Sequence, residues 1–205
     1  MTPAWFNLVA MSALGWRTSL EATYETARLA IHQDVPGDFV ECGVYAGAQA
    51  AIMAKAILEP EHYWDVNRRD NTRRVHLYDS FCGIPAPDQH DVEFTIAGVK
   101  AGASPCSLED VKRNMASWGI PDELLVYHPG YFAETVPSHD GAIAVLRLDG
   151  DLYSSTKTCL KHLYPLVSTG GYVIVDDFNL SGCRKALVEY FELAGPAPIY
   201  FRKHE

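Results

Sequence analysis

The chain has 205 residues, a formal net charge of −9 and a pI near 5.3. This length suits one domain with a sizeable core, and no long Ser-, Gly- or Pro-rich stretch offers a linker to a second domain. The acidic balance argues against the broad basic surface that nucleic acid binding requires. We therefore expect a single domain over residues 1–205 that has a small-molecule partner and no nucleic acid partner.

Cysteine usage and the N-terminal segment favour a cytoplasmic location. The five cysteines are an odd number without a close pair, so they predict neither a disulfide framework nor a zinc finger. The apolar segment 5–16 precedes the first basic residue, Arg17, which is the wrong order for a secretory signal. It is also too short to span a membrane. We expect a helix that packs on its own domain, and no membrane partner.

The predicted elements alternate between strand and helix. Helix 18–33 comes first, with apolar residues recurring on one face. The other predicted elements are strand 39–44, helix 47–58, strand 75–79, a helix capped by Ser107 and Asp110, strands 124–127 and 143–148, helix 154–167, strand 172–175, a helix around 183–193 and a last strand at 198–202. This order predicts a doubly wound, mostly parallel sheet with right-handed crossovers and a short C-terminal end.

A long segment, 80–106, separates two of these elements and shows little apolar periodicity. Loops of this length are uncommon inside compact domains and are usually functional or mobile. We interpret it as a lid or substrate loop, with a passive insertion as the alternative.

Four aspartates follow two buried strands. Asp149 and Asp151 come after one strand, and Asp176 and Asp177 come after the next. The carboxyl ends of parallel strands meet at one edge of a sheet, so these carboxylates converge. Helix capping accounts for one or two of them, but four adjacent negative charges are unfavourable without a cation. Oxygen ligands suit Mg²⁺ better than zinc, and the cluster predicts a metal-assisted active site.

The first two strands end in residues that favour a nucleoside cofactor. Glu41, Gly43 and Gly47 form an E-x-G-x-x-x-G pattern, which is weak alone and differs from the G-x-G-x-x-G of pyrophosphate sites. Asp79 ends the second strand, where an acid can accept hydrogen bonds from both ribose hydroxyls; the alternative is a cap on the backbone of the residues after it. S-adenosylmethionine, with adenosine, an ammonium, a sulfonium and no phosphate, suits this pattern.

Several blocks together resemble the macrocin O-methyltransferase family, whose members decorate deoxysugars of antibiotics. The blocks are residues 35–44, 78–85, 146–153 with Ser155 and Thr156, and 170–178 with 182–184. They occur in the family's order, and the resemblance runs from about Arg17 to the C-terminus. The turn after the first strand departs from the family, because Tyr45-Ala46-Gly47-Ala48 replaces a Trp-Arg-Gly-Gly type turn.

The resemblance implies a Rossmann-like class I methyltransferase fold with a helical lid at 1–37 and a cofactor-binding core at 38–205. It implies Mg²⁺ on Asp149, Asp176 and Asp177, with Asp151 as the general base that deprotonates the acceptor hydroxyl. The implied contacts to S-adenosylmethionine are Glu41, Gly43, Tyr45, Asp79, Ser80, Gly130 and Tyr131.

The sequence thus predicts Mg²⁺-dependent methyl transfer from S-adenosylmethionine to a hydroxyl of a small molecule, a sugar or secondary metabolite of the kind found in antibiotic biosynthesis. One alternative is a metal-dependent phosphoryl transferase or hydrolase, although the chain has no G-x-x-x-x-G-K-[ST] motif. Another is a non-catalytic member that binds the cofactor. The acceptor, the position methylated and the oligomeric state, a homo-oligomer included, stay open.

Overall fold

A computed structural model of the protein describes residues 4–11, 17–59, 73–192 and 200–204. The strands are β1 Asp38–Cys42, β2 Val75–Asp79, β3 Leu125–Pro129, β4 Ile143–Leu148, β5 Val167–Val175 and β6 Tyr200–Arg202. The α-helices are α1 Ala4–Ala10, α2 Arg17–His32, α3 Ala48–Ile57, α4 Val92–Ile96, α5 Leu108–Ser117, α6 Phe132–Thr135, α7 Tyr153–Leu163 and α8 Ser181–Phe191.

The strands form one sheet in the order β3-β2-β1-β4-β5-β6. The pairings among β1 to β5 are parallel, and β6 runs antiparallel to β5. The sheet is therefore mostly parallel, as predicted. Cys42 pairs with Leu148, and Leu148 pairs with Val175, so these strands end at the same level. The order in which successive strands are added to the sheet reverses between β1 and β4, and ligands bind at this point in doubly wound folds.

Helices cover both faces of the sheet because alternate side chains of each strand point to opposite sides. Phe39 and Val145 belong to one buried cluster with residues of α2 and α3. Val40 and Leu146 belong to a second cluster with residues of α7 and α8. Every residue of β4 is buried, as expected for a central strand covered on both faces.

The N-terminal helix packs on its own domain, as predicted. Phe6 and Val9 of α1 are fully buried in the cluster that contains α2 and α3. Residues 12–16 of the predicted segment lie outside the described part of the chain. None of the helices that the structure describes combines the length and the apolar character needed to cross a bilayer.

The largest differences between predicted and observed element boundaries lie between residues 163 and 172. The helix predicted over 154–167 ends at Leu163, because a 3₁₀ turn that contains Pro165 follows it and proline cannot continue the helical hydrogen bonds. Strand β5 accordingly begins at Val167 instead of residue 172. Of the last predicted strand, residues 198 and 199 lie outside the described part of the chain, as does residue 193 of the preceding helix.

The start of α5 confirms the predicted cap. The Ser107 hydroxyl accepts a hydrogen bond from the Asp110 backbone N–H at 3.2 Å. This bond satisfies one of the free N–H groups of the first helical turn.

Candidate active site

A cavity of about 400 Å³ opens at the carboxyl edge of the sheet, where β1, β2, β4 and β5 end. Nine of the eleven predicted site residues line it: Gly43, Tyr45, Asp79, Ser80, Tyr131, Asp149, Asp151, Asp176 and Asp177. Its volume is in the range of small-molecule sites. The fold therefore brings both predicted halves of the site into one space.

Gly43 allows the turns after β1 and β4 to approach each other closely. Its φ of 94° lies in the left-handed region, and an added Cβ would lie 1.7 Å from the Asp149 carbonyl oxygen. No other residue fits this position without moving the backbone. The glycine thus fixes the distance between the cofactor half and the aspartate half of the cavity.

Asp79 connects the turns that follow β1 and β2. Its Oδ2 accepts hydrogen bonds from the backbone N–H groups of Val44 at 2.7 Å and Tyr45 at 3.2 Å. Its Oδ1 accepts one from the Phe81 N–H at 2.8 Å. The capping alternative for Asp79 is therefore present in the structure, and the same carboxylate also lines the cavity.

Asp149, Asp176 and Asp177 converge at the ends of β4 and β5. One carboxylate oxygen from each lies within 4.8 Å of the others. The Asp151 backbone N–H donates a hydrogen bond to Asp177 Oδ2 at 2.9 Å. Burial, followed by the neighbouring carboxylates, raises the pKa of Asp177 to about 9 and that of Asp151 to about 7. When all of its carboxyl groups are ionised, the cluster therefore has more negative charge than its protein neighbours compensate.

The sequence reasoning missed Arg147, which lies directly beneath this cluster. Its side chain is 1% exposed, and its Nη1 and Nη2 donate to Asp149 Oδ2 at 2.5 Å and Asp176 Oδ1 at 2.7 Å. The available signal was a single charged residue inside the otherwise apolar run of β4.

Glu41 and Gly130 lie behind the cavity wall instead of lining it. Glu41 is 1% exposed, and its Oε1 is 3.5 Å from Arg147 Nη1. Burial raises the pKa of this carboxyl well above its usual value, although Arg147 opposes the rise. Gly130 donates its backbone N–H to the Asp79 carbonyl at 2.9 Å and so joins the ends of β2 and β3. The contacts of Glu41 and Gly130 with the cofactor stay predictions, because neither residue lines the cavity.

The predicted loop 80–106 contains α4 and forms one wall of the cavity. Gly83, Ile84, Pro85 and Ser104 line that wall. In contrast, the described residues of α1 and α2 line no part of the cavity, and Ser19 of α2 instead contacts Asp176. A lid role for segment 1–37 thus stays a prediction.

Residues 5–196 match the family model described as macrocin O-methyltransferase (TylF). The chain belongs to this family. Its aspartate cluster and glycine turn are therefore those of a macrocin O-methyltransferase family member.

Two relatives of known name are similar in sequence. The chain is 39% identical over 172 residues to mycinamicin III 3''-O-methyltransferase of Micromonospora griseorubida, covering 81% of this chain and 65% of the relative. It is 40% identical over 165 residues to demethyldecarbamoylnovobiocin O-methyltransferase of Streptomyces niveus, covering 78% of this chain and 60% of the relative. The match thus spans less than two thirds of either relative.

A solved structure confirms the fold. The O-methyltransferase NovP superimposes with a TM-score of 0.76 at 34% identity, covering 91% of this chain and 79% of that chain. The Rossmann-like methyltransferase architecture predicted from the sequence is therefore the architecture of this family member.

The aspartates of this site fit a hard divalent cation. The ligands would be carboxylate oxygens alone, which suits Mg²⁺ and does not suit softer metals. Of the four aspartates, Asp149 and Asp176 pair with one guanidinium, that of Arg147, which also lies 3.5 Å from Glu41. The remaining negative charge is what a divalent cation would neutralise.

Proposed function

We propose that the protein transfers a methyl group from S-adenosylmethionine to a hydroxyl of a small molecule, a sugar or a sugar-bearing secondary metabolite. The observation that carries this proposal is the meeting of the Gly43 turn and Asp79 with the aspartate cluster in one cavity. The family and the names of the relatives, which act on mycinamicin and novobiocin precursors, support an antibiotic-type acceptor.

In this proposal the cofactor occupies the side of the cavity formed by β1 and β2. Gly43 lines this side of the cavity, and Asp79 and Ser80 offer polar groups to the ribose. Tyr131 is 39% exposed on the cavity wall, where its ring can stack on the adenine.

The acceptor occupies the side formed by β4 and β5. Asp149, Asp176 and Asp177 would hold Mg²⁺, which when bound lowers the pKa of an alcohol oxygen next to it. Asp151 lines the same cavity and removes the hydroxyl proton, and the freed oxygen pair attacks the methyl carbon while the sulfur leaves with its electrons. The protein's main contribution is to hold the oxygen and the methyl group in line.

The partner in this proposal is a small molecule and not a nucleic acid, because the charge of −9 opposes binding to phosphate backbones. We also place the protein in the cytoplasm, since all five cysteines are free in the structure. The oligomeric state, which includes the possibility of a homo-oligomer, stays open.

The test is a methyl-transfer assay with isotopically labelled S-adenosylmethionine and a panel of glycosylated macrolide and aminocoumarin precursors. We expect transfer to at least one acceptor and its loss with a chelator, followed by recovery with Mg²⁺. Transfer that survives complete metal removal would contradict the metal role. Calorimetry with S-adenosylmethionine and with ATP tests the phosphoryl-transfer alternative, which requires binding of ATP.

Asp149→Asn separates metal binding from cofactor binding. The amide keeps the shape but loses the charge, so we expect turnover to fall at least about a thousandfold. The affinity for S-adenosylhomocysteine should change less than about threefold, because the cofactor side is untouched. Asp122→Asn, an exposed residue outside the cavity, is the matched control. Full activity of Asp149→Asn would show that this carboxylate is not a ligand.

A further inference from the structure

We propose that Arg147 is a positioning residue that orients the metal-binding carboxylates, and that Ser19 connects it to helix α2. This inference rests on the proposed function, because it concerns how the protein prepares the same Mg²⁺ site. Both residues lie outside the residues that line the cavity.

The guanidinium of Arg147 bridges the ends of two strands. Its Nη1 donates to Asp149 after β4, and its Nη2 donates to Asp176 after β5, at 2.5 and 2.7 Å. A guanidinium is planar, so its two nitrogens have a fixed separation and direction. The two carboxylates are therefore held at a defined spacing by one rigid group.

The three predicted ligands share one feature. Asp149 and Asp176 each give one oxygen to Arg147, and Asp177 gives one oxygen to the backbone N–H of Asp151. Arg147 and the Asp151 N–H thus occupy only one oxygen of each carboxylate, and the second oxygen can bind a cation. Groups that hold ligands in this way usually change metal affinity by 10- to 100-fold when they are removed, as an order-of-magnitude expectation.

The surroundings of Arg147 are poor for a purely structural ion pair. Its Nε is buried without a hydrogen-bond partner among the described residues, and its Nη1 lies 3.5 Å from the buried Glu41 carboxyl. Buried charged groups with unmet hydrogen bonds are costly, and apolar residues of similar volume often stabilise such positions better. We therefore attribute the buried guanidinium of Arg147 to a need for a positively charged group that holds the aspartate side chains in place.

Ser19 extends this network to the N-terminal helices. Its hydroxyl donates to Asp176 Oδ1 at 2.5 Å and accepts from Arg147 Nη2 at 3.3 Å. The Gln49 side-chain amide of α3 also donates to Ser19 at 3.1 Å. Helix α2 therefore contacts the metal-binding residues from behind the cavity.

The experiment compares Arg147→Lys, Ser19→Ala and the control Arg113→Lys, whose arginine lies on the exposed face of α5. Calorimetric titration of the metal-free full chain with Mg²⁺ gives the metal affinity, and titration with S-adenosylhomocysteine gives the cofactor affinity. Lysine keeps the positive charge but has no second nitrogen to hold both carboxylates at a fixed spacing, so we expect Mg²⁺ binding to weaken about 10- to 100-fold. Ser19→Ala should weaken it about threefold by the same reasoning. Cofactor affinity should stay within about threefold, and the control should match the wild type.

The kcat of each variant provides a second measurement beside the binding affinities. High Mg²⁺ should restore much of the kcat of Arg147→Lys, because the defect is in metal affinity, whereas a general packing defect would not respond. Unchanged Mg²⁺ affinity in Arg147→Lys, or an equal loss of metal and cofactor binding, would overturn the inference. If Arg147→Lys does not fold, unchanged Mg²⁺ affinity in Ser19→Ala decides against it. Failure of the wild type to bind Mg²⁺ would refute the proposed metal function itself, which distinguishes the two failures.

Discussion

In the proposed mechanism, Asp151 is the residue at which proton removal can be separated from binding. It lines the cavity next to the predicted ligands, and its φ of 60° is unusual for a residue other than glycine. Asp151→Asn keeps the shape of the side chain and removes the base. We expect kcat to fall by about 10²- to 10⁴-fold, the usual range for loss of a general base. Mg²⁺ and cofactor affinities, measured by calorimetry, should remain close to those of the wild type.

Acceptor acidity provides the control for this variant. A phenolic acceptor loses its proton more easily than an alcohol, so Asp151→Asn should lose less activity with it. Equal losses on both acceptors would indicate a role for Asp151 in binding or structure instead.

A histidine on β3 makes stability depend on pH. His128 Nε2 lies 3.0 Å from His76 Nδ1, and its ring stacks on Tyr78 at 4.0 Å. Burial, followed by the neighbouring histidines, lowers the pKa of His128 from 6.5 to about 4. Between these values the unfolded chain binds a proton that the folded chain does not, so stability falls as the pH falls from about 6.5 to 4.

His128→Gln should reduce this slope. We expect the wild type to lose about 1–2 kcal/mol through this group, after allowance for solvent screening of a half-buried side chain. Denaturant unfolding at pH 7 and pH 4.5 measures the difference, with exposed His204→Gln as the control. An identical pH slope in wild type and His128→Gln would refute this role.

At the scale of elements, two acids hold segment 88–96 on the helices that follow the aspartates. Asp91 is buried, and its Oδ1 accepts from the Tyr153 N–H at the start of α7 at 2.7 Å. Glu93 Oε2 accepts from the Ser181 N–H at the start of α8 at 3.1 Å. Negative charge is favourable at helix N-termini, so this part of the long loop is docked on both helices.

Gly182 leaves the space that Asp91 occupies. An added Cβ would lie 2.0 Å from Asp91 Oδ1, so Gly182→Ala should displace that carboxylate and destabilise the protein by about 1–3 kcal/mol. Thermal unfolding measures this effect, and faster hydrogen exchange in residues 80–106 locates it. Exposed Arg184→Ala on the same helix is the control.

The double variant tests the mechanism. If Asp91 is the group displaced, Gly182→Ala should cost less in the Asp91→Ala background, because the 2.0 Å clash is gone and only the 3.0 Å approach to the Tyr153 backbone nitrogen remains. Additive losses would mean that Gly182 serves another packing role.

The sequence predicts elements better than it predicts contacts between them. Buried parallel strands produce apolar runs, and runs such as 143–148 are recognisable without tertiary information. Helix α7 ends at Leu163 because of Pro165. The proline is a local signal, but the predicted helix extended past it to residue 167. The contact between Asp91 and Tyr153 joins residues 62 positions apart, and no local pattern encodes it.

Contacts between distant residues also limit how much of the candidate site the sequence can predict. The aspartates are predictable because each follows an apolar strand and parallel strands share an edge. Arg147 is visible in sequence as a charge in β4, but its partners depend on the register between β4 and β5. Ser19 lies 157 positions from Asp176, so only the packed fold shows that α2 supports the cluster.

At the scale of the whole molecule, net charge and site charge have the same sign. The chain carries −9, and the cavity lining includes Asp79, Asp149, Asp151, Asp176 and Asp177. No lysine, arginine or histidine is found among the described residues that line the cavity. A field of this sign attracts cationic ligands and weakens as salt increases.

This field should distinguish S-adenosylmethionine, the proposed methyl donor, from S-adenosylhomocysteine, its product. S-adenosylmethionine carries a sulfonium charge that S-adenosylhomocysteine lacks, so only the donor gains this extra attraction. Raising the salt concentration from roughly 50 to 500 mM should weaken donor binding about fivefold and product binding less than twofold, because the screening length shortens. Calorimetry with chelator present measures both, since bound Mg²⁺ would offset part of the field. Equal salt dependence of the two ligands would show that close contacts, and not the acidic surroundings, set the preference for the donor.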